Sequence, residues 1–132
     1  MLYIGEIRGG PELDNAPIIN AISRLFSLKG SDGPELGTSL DIVFQIPGSV
    51  FSPEFEGVRT GRFSRKEQIL QIQIAVPKEM VYENEDDALS FCFEALRTAS
   101  GLAAERLKKA KAPFNEAALR DLIARVEARA VH

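Results

Sequence analysis

Carboxylates are the residues whose types and spacing come closest to a chemical site in this chain. Clustered in this way, carboxylates could hold Mg²⁺ or act as an acid–base pair. Three of them, Glu85, Asp86 and Asp87, also follow Asn84, a preferred helix cap, and acidic side chains suit the first turn of a helix. We therefore favour a solvated helix start over a catalytic or metal site. The densest group is Glu83, Glu85, Asp86 and Asp87.

Other common catalytic and metal-binding sets are missing from the sequence. The one histidine is His132, so a serine or cysteine nucleophile would lack its usual proton acceptor. The one cysteine, Cys92, falls on the apolar face of a predicted helix, where we expect a buried structural thiol. Zinc ligand sets and phosphate-binding glycine motifs are absent. We expect a protein that is not an enzyme and that binds neither cofactor nor metal.

Size and composition predict a single globular domain over residues 1–132. The chain has 45% hydrophobic and 27% charged residues, and it is long enough to bury a core without disulfides. Its net charge of -3 argues against a surface made entirely for nucleic acid. The amino terminus does not have the pattern of a secretory signal, and no apolar run approaches the roughly 20 residues of a membrane helix. We expect a cytoplasmic protein that does not enter membranes.

Charge is distributed unevenly along the chain. Residues 1–96 carry 8 basic and 15 acidic side chains, whereas residues 97–132 carry 8 basic and 4 acidic ones. The densest acidic run, residues 78–87, surrounds the apolar Met80 and Val81. Acidic groups beside aromatic and apolar side chains can steer a basic protein and then anchor it. The predicted partner-binding residues are Glu79, Tyr82, Glu83, Glu85, Asp86 and Asp87.

Two basic sets compete with the acidic run as binding surfaces, because both could contact phosphates. One lies on a predicted hairpin and the other near the end of a predicted helix. Phe63 is the only aromatic residue inside the hairpin set, whereas single-stranded nucleic acid stacks on several aromatic rings. We therefore expect a protein partner rather than nucleic acid. The hairpin set is Arg59, Arg62, Arg65 and Lys66, and the helix set is Arg106, Lys108, Lys109 and Lys111.

Alternating apolar side chains predict a sheet. Residues 67–77 alternate an apolar set with a mixed set, which is typical of an interior strand with one buried face. Residues 40–46 alternate in the same way, and residues 55–65 form a weaker strand because two glycines invite a bulge. Residues 2–8 can add a fourth strand. We expect residues 55–77 to form an antiparallel hairpin within an antiparallel sheet.

Helix caps and apolar spacing predict three helices. The first follows Asp14 or Asn15 as its cap. The second follows Asn84 and is apolar on two sides, so we place it between the sheet and the third helix, which follows Asn115. The predicted fold is α+β, an antiparallel sheet of about four strands with helices packed on one face, in the order β-α-β-β-β-α-α.

The loop that follows Pro47 carries three large apolar residues, Val50, Phe51 and Phe55. Large apolar side chains in a loop can form a partner-binding tip, or they can fold back and fill a gap in the core. We favour the second interpretation.

Taken together, the small size, the acidic balance, the predicted sheet with flanking helices and the acidic, aromatic-bearing surface resemble small bacterial immunity proteins. These include the antidotes of contact-dependent growth inhibition and of related polymorphic toxin systems. The resemblance extends over the whole chain and concerns the predicted fold and the distribution of charge. No residue role is carried over from it. It implies a cytoplasmic protein that neutralises a cognate toxin, often a nuclease, by covering its surface. The carboxylates of residues 79–87 would then face lysines and arginines of a basic toxin domain.

Two alternatives remain open at this point. An acidic secretion chaperone of similar size also has an α+β structure and no active site, and it would act as a dimer through an apolar surface. A small carboxylate-dependent hydrolase or isomerase is the third possibility. An adjacent gene for a secreted toxin would favour the immunity protein, a dimer the chaperone, and a deep pocket with two carboxylates the enzyme. The sequence leaves the oligomeric state open.

Overall fold

The computed structural model describes residues 2–9, 17–25, 36–48 and 52–130. Asp14, Asn15, Val50 and Phe51, together with His132, lie outside these ranges. The described residues confirm the α+β class and the predicted order of elements. These are β1 (Leu2–Gly9), α1 (Pro17–Leu25), β2 (Ser39–Ile46), β3 (Val58–Ser64), β4 (Ile69–Ala75), a short 3₁₀ helix (Lys78–Tyr82), α2 (Glu85–Lys109) and α3 (Glu116–Ala130).

The sheet is mixed, so the prediction of an antiparallel sheet is wrong. Its strand order is β1-β2-β4-β3. β2 pairs in parallel with both β1 and β4, and β3 pairs antiparallel with β4 as the predicted hairpin. A helix connects β1 to β2, which is the kind of crossover that parallel pairing requires. The chain reverses twice between β2 and β4, so these two strands also run in the same direction.

The core lies on one face of the sheet, where the helices pack. The alternating residues Leu40, Ile42 and Phe44 of β2 are fully buried, as are Leu70 and Ile72 of β4, and they share one core cluster with residues of α1, α2 and α3. Each large apolar side chain buried in this way contributes about 1.5–3 kcal/mol. Among the described residues, the prediction that helices cover one face is therefore confirmed.

Polar side chains share the opposite face of the sheet with the buried Val43. Arg59 Nε donates to Gln73 Oε1 at 2.7 Å, and Gln73 Nε2 donates to Gln71 Oε1 at 2.8 Å. The mixed set that alternates with the buried residues of β4 thus forms hydrogen bonds across the sheet surface. The register of β3 shifts between Thr60 and Phe63, in the strand where the glycines predict a bulge or twist.

Helix α2 is packed between the sheet and the other two helices, in contact with α1, α3, β3 and β4. Its start is set by Asn84, whose side-chain Oδ1 accepts a hydrogen bond from the backbone N–H of Asp87 at 2.8 Å. Cys92 and Leu96 are buried on this helix. The predicted cap and the burial of Cys92 are both confirmed, and burial raises the pKa of the Cys92 thiol to about 12.

We expect the buried thiol to make stability depend on pH above pH 9. The folded state keeps Cys92 protonated up to about pH 12, whereas the unfolded chain ionises from its ordinary pKa of 9.0. Stability from this group is therefore complete below pH 9 and is lost as pH rises. From pH 8 to pH 10 the wild type should lose about 1.4 kcal/mol more unfolding free energy than Cys92→Ala. Urea denaturation at both pH values measures this difference, and parallel losses in the two proteins would contradict it.

A short backbone contact joins the segment before β2 to the connection between α2 and α3. The backbone N–H of Thr38 donates to the Pro113 carbonyl, and that of Asn115 donates to the Leu36 carbonyl, both at 2.9 Å. Gly37 lies between them with a φ of +84°, and a Cβ placed there would lie 2.9 Å from the Pro113 carbonyl oxygen. Glycine is therefore required at Gly37 by both its backbone angle and its close neighbour.

Gly37→Ala should destabilise the fold more than Gly57→Ala. Both glycines have a positive φ, but no atom lies within 4 Å of a Cβ at Gly57. Gly57→Ala should lose about 1–2 kcal/mol from backbone strain alone. Gly37→Ala should lose about 1–3 kcal/mol more, because the Pro113 backbone must move away. Urea unfolding followed by circular dichroism compares the two, and equal losses would show that the close approach is not required.

Candidate functional site

A groove lies where β2 and β4 end. These parallel strands finish at the same edge of the sheet, and β3 lies beyond β4, so the chain crosses this edge on its way from β2 to β3. The Val76 backbone N–H donates to the Gln45 carbonyl, and that of Ala75 donates to the Gly57 carbonyl, both at 2.9 Å. Residues 52–57 are thereby held at the carboxyl end of β4, a common place for ligands in sheets with parallel strands.

This β2–β4 groove has a volume of about 550 Å³ and is lined by residues 47, 52–53, 55–57 and 75–79. Ala75 and Val76 are almost fully buried and form its apolar floor. Its walls include three prolines, Pro47, Pro53 and Pro77. A volume of this size is typical of binding sites that take a small ligand or a few side chains.

Phe55 lines the groove, so the interpretation that it plugs the core is wrong. Its ring is half-buried and lies outside the core cluster. The guanidinium carbon of Arg59 lies 4.0 Å from the ring centroid. The local sequence could not distinguish these arrangements, because the crossing at the sheet edge follows from the strand order. Val50 and Phe51 lie outside the described residues.

The predicted acidic residues divide into two groups. Glu85 is partly buried, and its Oε2 lies 3.5 Å from Arg24 Nη1 on α1. We name the other four, which are exposed, the acidic surface. Asp87 also accepts a hydrogen bond from the side chain of Asn84 at 2.9 Å, so it takes part in the helix cap. The acidic surface consists of Glu79, Glu83, Asp86 and Asp87.

The acidic surface and the groove adjoin each other through Glu79, which belongs to both. Met80 packs on the core and Val81 is buried, so these two residues do not provide the apolar anchor expected from the sequence. The side chain of Tyr82 lies outside what the structure describes. The apolar area beside the carboxylates comes instead from the groove, which sequence patterns did not reveal.

No arrangement for metal binding is found in the described part of the chain. There, no group of three or more His, Cys, Asp or Glu side chains is placed to hold a metal ion. The acidic surface therefore presents four exposed carboxylates and no metal-binding geometry among the described residues.

The two basic sets, which the sequence presented as alternatives, meet around Phe63. The guanidinium carbons of Arg65 and Arg106 each lie 5.7 Å from the centroid of the Phe63 ring. Arg65 Nη2 also donates to the Ala110 carbonyl at 2.7 Å. We call Phe63, Arg65 and Arg106 the basic cluster. Arg59 is separate from it, because its guanidinium lies over Phe55.

The acidic surface and the basic cluster lie towards opposite ends of α2. The helix has 25 residues, so its ends are separated by about 37 Å at 1.5 Å per residue. Charge that is divided along the sequence is therefore also divided in space.

Comparisons of the chain with protein-family models, with curated proteins and with solved structures found no match. In the ranges that the structure describes, no helix is both long enough and apolar enough to span a membrane.

Proposed function

We propose that this chain is a non-enzymatic protein-binding module that docks a basic protein through the acidic surface. One observation carries the proposal: of the six other carboxylates on the described helices, all except Glu105 form ion pairs within the molecule, whereas those of the acidic surface do not. Among the described residues, none of its four carboxylates forms an ion pair. Charge left open in this way is available to a partner.

Four helix carboxylates away from the acidic surface show the contrast. Arg97 Nη2 lies 2.8 Å from Glu94 Oε2, and its Nη1 lies 2.7 Å from Glu127 Oε2 on α3. The hydrogen bonds to Glu94 and Glu127 raise the pKa of Arg97 above its ordinary value. Glu116 and Asp121 pair with Arg120 and Arg125 in the same helix. These carboxylates are engaged within the molecule.

Open carboxylates and an apolar groove have complementary effects on association. Concentrated charge of one sign accelerates the encounter with a partner of opposite charge. Apolar burial at the centre of an interface then supplies most of the energy that holds the complex together. Glu79 lies at the junction of the two, so one partner could contact both.

Within this class, we propose an immunity protein that neutralises a bacterial toxin in the cytoplasm, as in contact-dependent growth inhibition. A nuclease must present a basic surface because its substrate is a polyanion. A protein with an open acidic surface can occupy the same basic surface without any chemistry of its own. The proposal therefore requires a basic toxin domain as partner.

Neutralisation of a toxin can be tested by growth rescue. The partner is first isolated with the tagged protein from its source cells and identified by mass spectrometry. Its most basic domain is then expressed from an inducible promoter, alone or with the present chain. We expect the domain to stop growth and the chain to restore it. A partner domain that is harmless, or toxicity that the chain does not relieve, would contradict the immunity proposal.

Charge reversal tests the acidic surface itself. Glu83→Lys with Asp86→Lys should weaken partner binding about 10- to 100-fold and reduce its salt dependence, because attraction becomes repulsion. Asp87 and Glu85 are left unchanged, since one belongs to the helix cap and the other pairs with α1. Binding is measured by calorimetry between about 50 and 300 mM salt. Over this range the Debye length changes on the order of twofold, so electrostatic attraction should weaken measurably.

A matched control makes the same change in net charge elsewhere. Glu67→Lys with Glu105→Lys alters two exposed carboxylates, one in the β3–β4 turn and one towards the end of α2. We expect this variant to keep wild-type affinity. Equal weakening by both variants would mean that only net charge matters, and wild-type affinity in the Glu83 and Asp86 variant would exclude the acidic surface as the interface.

A second candidate function is polyanion binding, which the basic cluster favours. The guanidinium carbons of Arg65 and Arg106 each lie 5.7 Å from the centroid of the Phe63 ring, and single-stranded nucleic acid combines stacking on aromatic rings with phosphate contacts. Fluorescence anisotropy with a labelled single-stranded oligonucleotide compares the wild type with Arg65→Gln/Arg106→Gln. Under the protein-binding proposal, the two should bind the oligonucleotide equally weakly. A tenfold or greater loss in the variant would favour the second candidate.

A further inference from the structure

The β2–β4 groove has a composition that fits one kind of occupant. We infer that it receives an extended segment of the partner protein in which an apolar side chain is flanked by Lys or Arg. The inference rests on the proposed function. It names the segment of the partner that binds in the groove, whereas the acidic surface contacts the rest of the partner.

The walls of the groove favour an apolar side chain over a polar small ligand. Pro47, Pro53 and Pro77 have no backbone N–H, so three wall positions offer no backbone donor to a phosphate, a carboxylate or a carbonyl. Val76 and the ring of Phe55 add further apolar area. Burying one large apolar side chain against such a surface removes water from both partners, which is the main favourable term in association.

Charge at the rim favours a cation next to that apolar side chain. Glu56 and Glu79 are exposed carboxylates that line the groove, and Lys78 is the cation that lines it. Arg59 is nearby, where its guanidinium lies over Phe55 and its Nε donates to Gln73, and it keeps its positive charge. Lys78 and Arg59 therefore balance Glu56 and Glu79, and the rim is negative where Glu79 continues into the acidic surface. That part of the rim is complementary to a basic side chain of the segment.

Backbone hydrogen bonds hold the floor of the groove in place. Its floor is tied to β2 and to residue 57 by the backbone hydrogen bonds of Val76 and Ala75. Gly57 has a φ of +79°, which allows the chain to turn directly into β3 at this edge. A preformed site loses little conformational entropy on binding, so more of the contact energy appears as affinity.

Glu79 connects the groove to the acidic surface. A segment seated in the groove would therefore hold the basic surface of the same partner close to Glu83 and Asp86. Two linked contacts of moderate strength can give an affinity well above that of either alone. The geometry thus points to a partner that is recognised in two parts, a segment in the groove and a basic surface on the start of α2.

A random octapeptide library displayed on phage provides the probe. Panning on the full-length chain should enrich peptides in which an apolar residue lies beside Lys or Arg. The enriched peptides are then made with a fluorescent label and measured by anisotropy. Phe55→Ala and Glu56→Lys/Glu79→Lys should each weaken their binding at least tenfold. Both variants change residues outside the core cluster, and circular dichroism checks that they are folded.

The outcomes separate this inference from the proposed function. Glu83→Lys/Asp86→Lys should weaken binding of the whole partner but should change binding of the short peptides much less. Failure to enrich basic-apolar peptides, or peptides that bind the groove variants and the wild type equally, would overturn the groove inference and leave the acidic surface standing. If the groove variants weaken peptide binding while Glu83→Lys/Asp86→Lys leaves the affinity for the whole partner unchanged, the inference holds and the acidic-surface proposal fails. A dimer that dissociates in Phe55→Ala would assign the groove to a second copy and overturn the inference.

Discussion

Parallel pairing of β2 with β4 is the constraint from which the rest of the structure follows. The register matches Leu40 with Leu70 and Ile42 with Ile72, so both strands bury the same face and the helices that cover it gather on one side. Because the two strands also end at one edge, the chain must leave β2, cross that edge and return through β3. The β2–β4 groove is the space that this crossing leaves. Its position is thus a result of topology, and its chemistry is a result of the residues that make the crossing.

The acidic surface can be explained by local helix electrostatics as well as by the proposed partner binding. Carboxylates at the start of α2 and lysines at its end are both favoured by the helix dipole, so their presence alone says little about function. The difference lies in how the charges are engaged. Arg97 joins Glu94 to Glu127 and thereby ties α2 to α3, whereas Glu83 and Asp86 are exposed without an ion pair among the described residues. The paired carboxylate Glu94 and the exposed Asp86 thus lie on the same helix, about two turns apart.

Sequence patterns predicted the elements well, because alternation and caps are local. The buried set of β4 and the Asn84 cap are examples. Alternation is the same whether a strand has parallel or antiparallel neighbours, so the pattern could not predict a mixed sheet. The groove was missed for the same reason: Phe55 lines it only because the chain crosses the end of β4. Likewise, the meeting of Arg65 with Arg106 around Phe63 depends on how the hairpin packs against α2, which no local pattern contains.

Charge and apolar contact would divide the task of neutralising a toxin. At physiological salt the Debye length is about 8 Å, so the acidic surface attracts a partner at short range. The basic cluster does not oppose it, because Arg106 lies about 30 Å from Asp86 along α2 at 1.5 Å per residue. Exposed ion pairs contribute little to the stability of a complex, and differences in affinity arise mostly from dissociation rates. An inhibitor that relied on Glu83 and Asp86 alone would therefore bind quickly and release quickly. Slow release requires apolar burial next to the charges, and the groove beside Glu79 is where the described surface combines the two.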